Sequence, residues 1–117
     1  MKTYRVCRAL ATDRDLALLA EFLFETYQEF GDDADSAWSR VERRLQGVED
    51  MMASLAHHPH RGTPRPDVLA GVRSLVDDRI VLYFDVDEAA GDVRVLGVFF
   101  GGQDHLRRML VRLGRGD

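Results

Sequence analysis

The sequence predicts an α+β domain in which a helical hairpin packs on an antiparallel sheet and a short helix follows. Three observations carry that prediction. Apolar residues recur at steps of three and four through the first half of the chain, and at steps of two through much of the second half. A proline-rich segment separates the two regimes. The chain has 117 residues, 45% hydrophobic and 31% charged, which suits one domain (1–117) with a modest core.

Residues 3–10 (TYRVCRAL) read as a first strand, short and β-tolerant. Thr12-Asp13-Arg14-Asp15 then predicts a helix start. Thr12 is placed to cap free amides, and Asp13 and Asp15 put negative charge beside the positive end of the helix dipole. Leu16, Leu19, Leu23, Tyr27 and Phe30 form its apolar stripe, widened by Ala20 and Phe24, and Gly31 ends it. Asp32, Asp33 and Asp35 open a second helix with the same charge logic. Ala34, Trp38, Val41, Leu45, Val48, Met52 and Leu55 form its core stripe, while Arg40, Arg43, Arg44, Glu49 and Asp50 face water. Gly47 inside this helix costs about 1 kcal/mol relative to alanine and permits a bend.

The segment His57–Pro66 holds three prolines and a glycine, so it reads as an exposed, semi-rigid loop. Val68–Val76, Arg79–Val86 and Val93–Phe100 are three predicted strands, joined by short turns at Asp77-Asp78 and Asp87–Asp92. Ile80–Phe84 is apolar on both faces, as a central strand should be. Phe99 and Phe100 point to opposite faces of a regular strand, leaving one exposed or covered by a partner. After Gly101-Gly102, His105–Leu113 is a helix with Leu106, Met109, Leu110 and Leu113 on one side and Arg107, Arg108, Arg112 and Arg115 on the other. The order is β-α-α-β-β-β-α, with residues 113–117 expected as a mobile tail.

Composition narrows the function. Sixteen basic against 20 acidic residues give a net charge of −4, so strong direct nucleic-acid binding is not expected. The single cysteine, Cys7, excludes an intramolecular disulfide framework and reads as a packed side chain. No run approaches the ~20 apolar residues of a membrane span, and no signal-type run opens the chain. The expectation is a cytoplasmic protein without a membrane role. His57, His58 and His60 lack a carboxylate or cysteine at supporting loop spacing, so they read as loop surface, with no metal and no cofactor expected.

An ordered series of short segments runs through residues 58–110: His-Pro-His-Arg-Gly at 58–62, Gly71-Val72-Arg73-Ser74, Arg79-Ile80-Val81-Leu82-Tyr83, Asp85-Val86-Asp87-Glu88, Val93-Arg94-Val95-Leu96 and Gly101 to Asp104. With the helical hairpin before it, this series resembles the RelE/ParE superfamily of type II toxin–antitoxin toxins, the ParE branch in particular. The resemblance implies a small toxin held inactive by an antitoxin, whose C-terminal segment occupies grooves between sheet and helices. ParE-like members poison DNA gyrase, whereas RelE-like members cut messenger RNA on the ribosome.

Cutting RNA through a 2′-hydroxyl requires a base, an acid and cations for the phosphorane charge. Against the RelE-like pattern, Arg73 matches and Arg79 is an approximate second. Leu69 and Gly71 stand where lysines are expected, Gln103 replaces an arginine, the tyrosine position falls near Met109, and Lys2 is the only lysine. Tyr83 and His105 remain as acid or base candidates. The resemblance therefore implies a gyrase-inhibiting toxin, with a ribosome-dependent messenger-RNA endonuclease, or a member that has lost toxicity, as alternatives. Target or antitoxin contacts are expected from Arg61, Arg73, Phe100, Gln103, Arg107, Arg108 and Arg112. For Arg73 the structural alternative is an ion pair holding the sheet to the helices; for the C-terminal arginines it is a solvated helix face. Phe99 to Gln103 departs from the histidine and arginines that many ParE-like sequences carry around the terminal glycine, which implies a weakened toxin or a different target.

Overall fold

The computed structural model describes residues 2–101 and 104–114. In chain order the elements are β1 (Arg5–Arg8), α1 (Leu10–Glu29), α2 (Ala34–Ser54), β2 (Thr63–Pro64), β3 (Arg73–Asp77), β4 (Ile80–Asp87), β5 (Asp92–Phe100) and α3 (His105–Arg112). The sheet runs β1-β5-β4-β3-β2. Strands β2 to β5 pair antiparallel, but β1 lies parallel to β5, with Arg5 opposite Asp92 and Arg8 opposite Val95. The expected antiparallel sheet is thus a mixed one. A parallel edge needs a long crossover, and the α1–α2 hairpin with the meander behind it supplies that length. No described helix is long and apolar enough to cross a membrane.

Alternation along β4 builds two cores. Ile80, Leu82 and Phe84 face the helical hairpin, meeting Leu19, Leu23 and Tyr27 of α1 and Val41, Val48 and Met52 of α2. Val81 and Tyr83 face the other way and pack with Phe99, Val68, Val72 and Met109 of α3. A bulge keeps β5 in step with both. Tyr83 opposes Gly97 and Phe84 opposes Val95, so Leu96 is the extra residue. Val93, Val95 and Val98 consequently all reach the hairpin core.

Several local expectations change for tertiary reasons. Thr12 does not cap α1, whose N-cap is Ala9; its buried hydroxyl donates to the Val95 carbonyl at 3.1 Å. Asp33 does cap α2, accepting the Ser36 amide at 2.8 Å. The inner face of α2 carries Ala37 instead of Trp38, which is half-exposed and meets Phe24 edge-on with ring centroids 6.0 Å apart. Phe30, at the end of α1, is 84% exposed. The predicted strand from Val68 begins only at Arg73, because Arg65 donates its amide to the Val72 carbonyl at 2.7 Å and closes a loop. Val68 and Val72 then plug the second core from that loop. Leu113, expected in the tail, also packs against this core, while 115–117 lie outside the described residues.

Beyond Val95, β1 no longer covers β5, and an exposed strand edge invites unwanted pairing. Side chains close it. Asp15 accepts the Val98 amide at 3.1 Å, and Arg112 donates to the Leu96 carbonyl at 3.1 Å. Arg112 and Asp15 also bond each other at 2.6 and 2.8 Å, so the start of α1, the edge of β5 and α3 share one knot.

Candidate partner-binding surfaces

The loop between α2 and β3 is held by residues expected at a binding site. Arg73, on β3, donates to the carbonyls of His60 (2.7 Å), Arg61 (3.0 Å) and Gly62 (3.3 Å). Among the described residues it makes no ion pair; its bonds to these carbonyls clamp the loop to the sheet. Gly62, at φ +78°, is needed there, since a Cβ would run into the Ser74 carbonyl. Arg61 donates to the Ser54 hydroxyl at 2.8 Å, fixing the same loop to the end of α2. His60 lies 2.6 Å from the Glu88 carboxylate, which also accepts the Tyr4 hydroxyl at 2.7 Å. Those bonds, Tyr4 first and then His60, hold the Glu88 carboxyl below its usual range. His57 and His58 are exposed.

Tyr83 and His105 do come together. The Tyr83 hydroxyl lies 2.8 Å from His105 Nδ1, joining β4 to the first residue of α3. Burial pushes the Tyr83 hydroxyl up and the His105 imidazole down, and the nearby Arg65 charge lowers the imidazole further. Arg65 grips Asp67 with two bonds of 3.0 and 2.9 Å and reaches the Ser74 hydroxyl at 3.4 Å. Tyr83 itself is fully buried beneath α3 and the 65–72 loop, so this network braces the second core. Arg65 was not singled out from sequence; its spacing to Asp67 was the available signal.

The arginines of α3 divide by role. Arg112 is committed to Asp15, whose side chain is only 2% exposed. Arg108 and Arg112 sit over the Phe99 ring, with guanidinium carbons 5.1 and 5.3 Å from its centroid. Arg107 projects into solvent, and Val111 is half-exposed. With Asp104 these residues line a shallow concavity of about 500 Å³. Gln103 and Arg115 lie outside the described residues.

A second concavity, of about 390 Å³, opens between the α1–α2 tip and the sheet. Phe22, Tyr27, Phe30 and Phe100 form its apolar surface, with the Phe22 and Phe100 rings 5.1 Å apart. Arg40, Arg44 and Arg79 rim it. Arg40 stacks on Tyr27 at 3.9 Å and pairs with Asp32 at 2.8 Å; Arg44 donates to the Asp78 carbonyl at 2.6 Å. Arg79 shares the β3–β4 turn with Asp78, at φ +68° and +47° respectively, and makes no ion pair among the described residues. The sequence points to Arg79 and Phe100 as site candidates but places Phe30 on a core stripe and Arg40 and Arg44 on a solvent face, and the hairpin brings these three to the same opening.

No family model matches the chain, and no curated protein matches it. Among solved structures it is similar to a chain of the RelBE2 toxin–antitoxin complex from Mycobacterium tuberculosis, at 22% identity and a TM-score of 0.57, over 86% of this chain and 93% of that one. It is also similar to a chain of the chromosomal ParDE toxin–antitoxin system from P. aeruginosa, at 17% identity and a TM-score of 0.54, over 84% and 96%. The shared property is the fold: this chain has the RelE/ParE-like architecture that its sequence resembles.

Proposed function

We propose that the chain is the toxin of a type II toxin–antitoxin system, of ParE-like action, which an antitoxin neutralises and which inhibits DNA gyrase when free. Both structural neighbours belong to toxin–antitoxin systems. The observation that favours binding over RNA cleavage is the internal commitment of the candidate catalytic groups. Arg73 turns its Nε and Nη2 donors to three loop carbonyls, and the Tyr83 hydroxyl is buried and bonded to His105 at the start of α3. What faces solvent instead is suited to protein contact: Arg107, Arg108 and Val111 on one side, the aromatic cup on the other. On this reading the α3 patch engages gyrase.

The test mixes purified protein with gyrase and supercoiled plasmid, beside translating ribosomes carrying a message. Trapped, linearised DNA with intact message is the expected result, weakened by the double change Arg107→Ala/Arg108→Ala. Message cut on ribosomes with no gyrase effect overturns the reading in favour of the endonuclease. Growth untouched by strong expression without a partner favours the non-toxic alternative.

A further inference from the structure

Helix α3 is tied down at its two ends by bonds of different kinds. At the C-terminal end Arg112 grips the buried Asp15 at 2.6 and 2.8 Å. At the N-terminal end the side chain of Asp104, the N-cap, makes no capping bond. The tether there is the 2.8 Å bond between His105 Nδ1 and the Tyr83 hydroxyl. Eight residues are too few for a helix to persist alone in water, so α3 holds its shape only while docked. Docked, it covers Tyr83 and Phe99 with Leu106 and Met109.

The N-terminal tether suits a neutral imidazole. A neutral ring can accept the Tyr83 proton at Nδ1, whereas an imidazolium carries its own proton there and cannot. The surroundings take the same side. From β4 the ring meets Tyr83, with ring centroids 5.9 Å apart, and from β5 the apolar Phe99 lies in the same core. From the 65–72 loop comes the Arg65 charge, whose guanidinium carbon stands 5.7 Å from the Tyr83 centroid; Asp67 is occupied by Arg65 through two bonds. On α3 itself Asp104 favours a proton on the ring, while Arg107, Arg108 and the positive end of the helix dipole oppose one. Burial and then Arg65 outweigh Asp104 and hold the imidazole below its usual range.

We infer that His105 and Tyr83 form a proton-operated catch on α3: when the imidazole takes up a proton, the first turn of the helix leaves the sheet and uncovers Tyr83 and Phe99, while Arg112 keeps the far end tied to Asp15. Once released, the ring regains the ordinary histidine basicity near ~6.5, so proton uptake and opening favour each other. The catch is therefore closed at neutral pH and loosens as pH falls through about 6.5. Arg107 and Val111 lie on the outer side of the same helix, so acid also unsettles the surface they form.

The test is amide hydrogen exchange of the full chain, followed by NMR between about pH 7.5 and about pH 5.5 and corrected for the intrinsic pH dependence of exchange. The Arg108 amide, bonded to the Asp104 carbonyl at 3.2 Å, reports the first turn of α3; the amides of Val41 and Val48, in the buried face of α2, report the whole fold. The Arg108 amide is expected to be less protected than those two throughout, and to lose about a further fivefold in protection across the pH range. Low urea should leave its exchange unchanged, because a local opening exposes little surface. His105→Gln, which cannot titrate, removes the pH response. In the unaltered chain the His105 ring protons titrate below those of a reference peptide, a readout that needs no variant to fold. Equal protection of the Arg108 and α2 amides, a pH response that survives His105→Gln, or a His105 ring that titrates like the peptide overturns the catch.

Discussion

Removing Arg112 should cost more stability than removing any exposed charge on this chain. Its guanidinium bonds both Asp15 oxygens, at 2.6 and 2.8 Å, and the Leu96 carbonyl at 3.1 Å. The Asp15 side chain is 2% exposed and that of Arg112 26%. Arg112→Ala leaves the carboxylate buried with the Val98 amide as its remaining partner among the described residues. Breaking a buried pair from one side costs about 3–5 kcal/mol, and the partial exposure of Arg112 puts the expected loss near the lower end, about 3 kcal/mol. In a chain of this size that is a fall of about 10 °C in Tm. Asp15→Ala should cost less, about 2 kcal/mol, because the freed guanidinium can turn to water while one amide goes unsatisfied. The double variant should recover about 1–3 kcal/mol relative to the summed single losses. Urea titrations followed by circular dichroism give all three values. Trypsin supplies a local readout, since α3 carries Arg107 and Arg108 and an undocked helix is cut faster. A loss below about 1 kcal/mol for Arg112→Ala, the level of a surface pair, refutes the reasoning.

Gly47→Ala should raise stability by about 1 kcal/mol, since a Cβ there meets nothing within 4 Å; an unchanged urea midpoint refutes it. Arg79→Gly should gain about 0.5–1 kcal/mol in thermal melts, relief of the left-handed strain exceeding glycine's added unfolded entropy. His105 fixes the sign of one pH response. Burial holds its folded imidazole below the usual value, so the unfolded chain takes the proton first as pH falls through about 6.5. Its contribution to stability is therefore complete above that pH and declines below it, and His105→Gln should flatten this part of the decline in urea midpoints.

The helices and the meander were legible because their signals are local. The stripe Leu19-Leu23-Tyr27 and the alternation Ile80-Leu82-Phe84 both end up in the hairpin core, at the periods that predicted them. What escaped was set by distant partners. Thr12 and Asp15 satisfy every local rule for a helix start, yet their partners are Val95, Val98 and Arg112. The parallel pairing of β1 leaves no mark near residues 5–8, because its register is written in Asp92–Val95. Arg73 reads as a partner contact or an ion-pair strut and Arg112 as a partner contact or a solvated helix face, since nothing in their neighbourhood reveals three loop carbonyls or a buried aspartate. Trp38 and Phe30 continued the stripes by count, but the inner face of α2 passes through Ala37.

The knot between Asp15 and Arg112 spans 97 positions, so it also sets a timetable for the growing chain. The first helix leaves the ribosome long before its ionic partner has been translated. Until α3 arrives, Tyr83 and Phe99 have no lid, and the far side of the sheet is bare to solvent. Interrupted messages therefore yield copies marked by an uncovered aromatic surface, the kind that chaperones hold and proteases clear.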